Sequence, residues 1–103
     1  MIVDKISDLI VFKTLKNIKH GFLEITSFDG EVLKFGNINE KLKAKIEIKH
    51  PSVNYNLIRN GSIGLAESYM QGYFETDNLS NLIEITAKNI KLIYKFSGIL
   101  DFS

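Results

Sequence analysis

The stretch Gly21-Phe22-Leu23-Glu24-Ile25-Thr26-Ser27-Phe28-Asp29-Gly30-Glu31-Val32-Leu33-Lys34-Phe35 decides the fold. Leu23 and Ile25 alternate with Phe22, Glu24 and Thr26, a period of two that sorts side chains onto the two faces of a strand. Asp29-Gly30 supplies a turn, and Leu33 and Phe35 return with the same period, so the stretch reads as a β-hairpin. Gly36-Asn37 makes the next turn. Beyond it Leu42, Ala44, Ile46 and Ile48 alternate with Lys41, Lys43, Lys45, Glu47 and Lys49. That pattern predicts a third strand, apolar inward and basic outward, closed by His50-Pro51 because proline cannot donate to a ladder. The three strands are expected to form an antiparallel meander.

Outward from the hairpin the period changes to 3.6. Residues 4–18 read as a helix with two apolar faces, Ile2, Ile6, Leu9 and Ile10 on one and Val11, Leu15 and Ile18 on the other. The first face is assigned to the core. After the third strand, Ser52 is placed to cap a short helix through Val53, Leu57 and Ile58, closed by Asn60-Gly61, and Ile63 to Gln71 predicts a second. Tyr73-Phe74-Glu75-Thr76 favours a fourth, extended segment. Asp77 or Asn78 then caps a last helix, in which Leu79, Leu82, Ile83, Ile90, Ile93 and Tyr94 are expected to cover the sheet. The fold class is therefore α+β, an antiparallel sheet of a hairpin, a third strand and a later strand, covered by helices. One domain is expected over residues 1–96, with 97–103 as a tail or linker stub.

Composition narrows the function. Forty-five per cent of the 103 residues are apolar, which suits one ordinary domain and argues against disorder. Thirteen basic and twelve acidic residues leave little net charge for neutralising phosphates, so no nucleic-acid partner is expected. Cysteine is absent, and thiolate catalysis and cysteine-ligated metals with it. The longest aliphatic-aromatic run is Leu9 to Phe12, far short of a membrane span. Asp4 and Lys5 interrupt any signal-peptide core, so a cytoplasmic location is expected, with peripheral contact at the inner membrane face. His20 and His50 each sit beside a turn residue, and no metal site is assigned to them. Gly61-Ser62-Ile63-Gly64 lacks the lysine of a phosphate loop, Ser68 lacks a hydrolase elbow, and Glu75 and Asp77 read as capping acids at a strand end. No catalytic residue and no cofactor site is expected in this chain.

The run Gly64-Leu65-Ala66-Glu67-Ser68-Tyr69-Met70-Gln71-Gly72-Tyr73-Phe74, followed by Asp77-Asn78-Leu79, resembles the N-terminal, non-catalytic domain of cyclopropane-fatty-acyl-phospholipid synthases. That family carries Gly-x-Gly-Glu-Ser/Ala-Tyr-Met-x-Gly-Trp-Trp ahead of Asp-Leu and a helix. This chain departs from it at Ala66, where a second glycine is usual, and at Tyr73-Phe74, where tryptophans are frequent. Gly21-Phe22-Leu23, Asp29-Gly30 and Phe35-Gly36 match as well, so the resemblance extends from about Gly21 to Asn89. It implies a sterol-carrier-protein-like fold sheltering an apolar lipid site. It also implies a separate S-adenosylmethionine-dependent catalytic domain, whose motifs are not among these residues.

Two readings then stand for each candidate. Glu67, Tyr69, Met70, Tyr73 and Phe74 either fill a core or line a slot for acyl chains or the catalytic partner. Ile85, Leu92 and Phe96 lie beside the sheet-covering arc of the last helix and are expected as a partly exposed shoulder for a partner or lipid, unless Ile99, Leu100 and Phe102 fold over it. Lys41, Lys43 and Lys45 are either a solvated sheet edge or headgroup contacts. Gly61, Gly64 and Gly72 are assigned to backbone constraints. The expected function is a lipid-binding accessory domain that positions phospholipid or fatty acyl chains for methylene transfer by the catalytic domain. The alternative is a docking or homodimerisation module without a lipid site.

Overall fold

The computed structural model describes residues 2–99, with side-chain environments to Tyr94. Its elements are α1 (Ile2–Leu15), β1 (Phe22–Thr26), β2 (Val32–Gly36), β3 (Lys43–Ile48), α2 (Val53–Met70), β4 (Phe74–Thr76), α3 (Leu79–Lys88) and α4 (Ile90–Ile99). The α+β class read from the sequence holds: four helices accompany a four-stranded sheet of order β2-β1-β3-β4. α4 reaches Ile99, past the expected helix end at Phe96. Residues 100–103, with Leu100 and Phe102 of the expected cover, lie outside the described residues, as do the side chains of Phe96 and Ile99.

The meander is corrected. β1 pairs antiparallel with β2 and parallel with β3, while β3 pairs antiparallel with β4, so the sheet is mixed. After Gly36 the chain does not turn back beside β2; it passes the start of β1 and enters β3 opposite Phe22. Two left-handed glycines permit the crossing. Gly21 has φ 84° and Gly36 φ 89°, and a Cβ on Gly36 would strike the Gly21 carbonyl. The crossing is fastened by Phe22 N–H donating to the Leu42 carbonyl at 2.9 Å.

One sheet face carries the core. Leu23, Ile25, Phe35, Ala44, Ile48 and Phe74 pack against Val11 and Leu15 of α1, Val53, Leu57 and Ile58 of α2, Leu82 and Ile85 of α3, and Ile93 of α4. The assignment of α1's faces is reversed by this packing. Ser7, Val11 and Leu15 are buried, while Ile2 and Leu9 are 74% and 71% exposed. The small Ser7 side chain lets the helix lie close to its neighbours, its hydroxyl donating to the Val3 carbonyl at 2.7 Å. Asn54 of α2 fixes the rotation by donating to the Asp8 carboxylate at 2.9 Å.

The expected single last helix is two helices. Asn89 lies between them, with a non-helical C-cap conformation. Its amide donates to the carbonyls of Ile85 and His20, and its oxygen accepts from the N–H groups of Lys19 and His20. One buried side chain thus closes α3 and ties it to the loop before β1. Asn78, not Asp77, caps α3, accepting from Asn81 N–H at 2.9 Å. Ser52 precedes α2 without capping it through its side chain; its hydroxyl pairs instead with His50 Nδ1 at 2.8 Å.

Two outcomes are expected. Replacing Asn89 with Ala leaves the Lys19 and His20 backbone groups without these partners, and chemical denaturation should register a loss of about 2–3 kcal/mol. Asp8 gives a pH signature. Burial raises its carboxyl above the ordinary value, partly opposed by the Asn54 hydrogen bond, with Asp29 and Asp4 adding to the rise. The folded state then holds the Asp8 proton more tightly than the unfolded chain, so this group's contribution falls as pH rises through its folded value. Asp8→Asn, which can still accept from Asn54, should be more stable than wild type at neutral pH and lose that advantage in acid.

Candidate functional site

α2 is folded upon itself at Gly61, whose φ of 59° and ψ of −137° interrupt the helix where Asn60-Gly61 was expected to end one segment. The second segment crosses the first at Gly64. A Cβ there would run into the Asn56 carbonyl, so glycine permits the close approach. Ser68, fully buried one turn on, accepts from the Asn56 amide at 3.1 Å. The helix ends with Gly72 at φ 75°, Gly72 N–H donating to the Tyr69 carbonyl and Tyr73 N–H to that of Ser68. The backbone constraints expected at Gly61, Gly64 and Gly72 therefore take three distinct forms.

β4 follows at once, and where its ladder stops, side chains continue it. Thr76 Oγ1 donates to the Lys45 carbonyl at 2.7 Å, Asp77 Oδ1 accepts from Lys45 N–H at 2.7 Å, and Asn81 Nδ2 donates to the Lys43 carbonyl at 2.8 Å. These bonds seat the start of α3 against β3. Between the second segment of α2 and α3 lies an open groove of about 380 Å³. Phe74 and Leu82, both buried, form its floor, while Tyr69, Met70, Leu79 and Ile83 stand exposed at its margin. Ser62, Leu65, Ala66, Thr86, Ala87 and Ile90 also line it, and among the described residues the lining contains no charged side chain. Thr86 spends its hydroxyl on the Leu82 carbonyl at 2.9 Å. Such walls suit an uncharged, apolar occupant.

The structure brings together three of the candidates, Tyr69, Met70 and Phe74, with the Tyr69 and Phe74 rings 5.5 Å apart. Glu67 is exposed on α2 and does not line the groove. Tyr73 turns away and stacks on His50 with centroids 4.0 Å apart. The expected shoulder is corrected at Ile85, which is 2% exposed, while Leu92 is half-buried; both line an apolar pocket of about 70 Å³ that shares Leu65, Phe74, Leu82 and Thr86 with the groove. That space holds little more than one or two water-sized molecules. The missed residues are Leu79, Ile83, Ala87 and Ile90. On α3, Leu79, Ile83 and Ala87 recur every four residues as one helical stripe, and Leu82 and Ile85 form another, while Ile90 joins the groove from the start of α4.

The sheet-edge reading of the lysines is also corrected, because β3 is an inner strand. Lys41, Lys43 and Lys45 are exposed, but Lys43 lies 5.9 Å above the Phe22 ring centroid and Lys45 3.9 Å from Glu24. Their open sheet face also presents Glu47 and Glu75 in register, so it is mixed in charge. Among the described residues no group of three or more His, Asp or Glu could hold a metal ion, and no helix is long and apolar enough to cross a membrane.

A small α+β domain with an uncharged surface groove is thus defined. A family model described as a domain of unknown function (DUF7884) matches residues 10–95, and the chain belongs to that family. It is also similar to the cyclopropane-fatty-acyl-phospholipid synthases of Escherichia coli strain K12 and Escherichia coli O6:H1, each 43% identical over 42 residues. That stretch is 41% of this chain and 11% of each synthase. No solved structure matches. The 103 residues are too few to hold a full S-adenosylmethionine-dependent catalytic domain.

Floor and margin should separate on mutation. Phe74→Ala removes a fully buried ring and should cost about 3–5 kcal/mol. Met70→Ser, at a side chain 76% exposed, should stay within about 0.5 kcal/mol in the same denaturation assay.

Proposed function

We propose that this chain is a lipid-binding accessory domain of a cyclopropane-fatty-acyl-phospholipid synthase system. It holds an acyl chain of a phospholipid or fatty acid in the groove between α2 and α3, and a separate S-adenosylmethionine-dependent domain transfers the methylene. The uncharged lining of that groove is the observation that carries the reading. An acyl chain asks only for apolar walls, and each methylene removed from water contributes about 0.8 kcal/mol. Met70 at the margin supplies an adaptable side chain that accommodates chains differing in length or unsaturation. The partial similarity to the synthases supplies the reaction context. The chain works in the cytoplasm, at the inner face of the membrane where such lipids lie.

Native mass spectrometry followed by lipid extraction tests the proposal. Wild-type protein should retain phospholipid or fatty acid, and Met70→Glu and Ile83→Glu should lose it while remaining folded, since both positions are exposed. Lipid-free wild-type protein that also fails to take up a fluorescent fatty acid contradicts the proposal. Loss of association with the catalytic domain in these variants, without any lipid effect, selects the docking alternative.

A further inference from the structure

The outer face of α1 is independent of the groove. At 100° per residue, Ile2, Ile6 and Leu9 share one arc with Lys5 and Lys13, and Lys16 continues it just past the helix end. All six side chains are exposed. The acids of α1, Asp4 and Asp8, fall outside that arc, and Asn54 holds Asp8 toward α2. Asp8, with Asp29 and Glu31 of the β1–β2 turn, lines a broad groove together with Lys5, Lys13 and Lys16, and these three acids border the face on one side. The opposite side of the helix, through Ser7, Val11 and Leu15, fixes α1 to the core, so the outer face is presented on a rigid support.

We infer that this face of α1 docks the domain on an anionic lipid surface, with Ile2, Ile6 and Leu9 entering the headgroup boundary and Lys5, Lys13 and Lys16 reaching the headgroups. Charge selects this occupant over a second copy of the chain. A two-fold contact through this face would set lysines against lysines with no acid of the arc between them. Three apolar side chains on one helix also fall short of the roughly 800 Å² per partner of a stable interface. An interfacial helix needs only a shallow apolar row with cations beside it. The sheet lysines serve this purpose less well, because Lys43 and Lys45 are engaged with Phe22 and Glu24.

The test is co-sedimentation of the full chain with vesicles of phosphatidylglycerol and phosphatidylcholine in equal parts, against vesicles of phosphatidylcholine alone. Binding should favour the anionic vesicles and weaken with salt. Leu9→Glu with Ile6→Glu should abolish it, and each of Lys5→Gln and Lys13→Gln should weaken it about fivefold. Circular dichroism should show all variants folded. Met70→Glu, which empties the groove, should sediment like wild type, so failure of the groove proposal leaves this one standing. Absent vesicle binding, equal binding to both vesicle types, or loss of binding in Met70→Glu but not in the α1 variants overturns the inference. Salt-insensitive self-association removed by Leu9→Glu does so as well, by assigning the face to a second copy.

Discussion

The backbone of Gly64 lies against the carbonyl of Asn56, and no larger residue fits there without displacing one segment of α2 from the other. That approach makes two short segments into a folded pair, each too short to be a stable helix alone. With Gly64 in place, Ser68 comes within reach of Asn56, and both polar side chains are satisfied inside the pair. The second segment then ends at Gly72 in the direction that delivers Phe74 to the sheet opposite Ile48. The groove inherits its wall from the fold-back and its floor from the strand that follows.

The other wall depends on α3, which is held at both ends by side chains rather than by propensity. Asp77 and Asn81 bind it to the backbone of β3, and Asn89 binds its last turn to the loop before β1. Between these anchors the helix has one orientation. Leu82 and Ile85 must face the core, so Leu79 and Ile83 are left at the groove. An apolar arc wider than the core requires is thereby divided between stability and a surface site.

Much of this was legible in the sequence, and the failures have physical causes. The period-two runs and the Asp29-Gly30 turn located the strands, but pairing was not visible: local alternation is the same whether β3 neighbours β2 or β1. The crossing rests on Gly21 and Gly36 approaching each other across a sequence distance that no local pattern reports. In α1, apolar residues on both faces left the choice to a small residue, Ser7, and to a distant partner, Asn54. Asn89 was invisible as a break because its neighbours keep the helical period and all but one of its side-chain hydrogen bonds are made some 70 residues away, with Lys19 and His20. Tyr69, Met70 and Phe74 meet at the groove because the motif sets them close in sequence, at the end of α2 and the start of β4. Ile85 was misplaced because a single continuous helix was assumed around it.

The central claim is that the groove between α2 and α3 holds an apolar chain. It is tested most directly by methyl NMR of the full chain titrated with a nitroxide-labelled fatty acid. Broadening confined first to the methyl groups of Met70, Ile83 and Leu79, with Leu57 and Val11 preserved, is the result the account predicts. Broadening centred elsewhere, or uniform weak broadening with no saturable site, would contradict it.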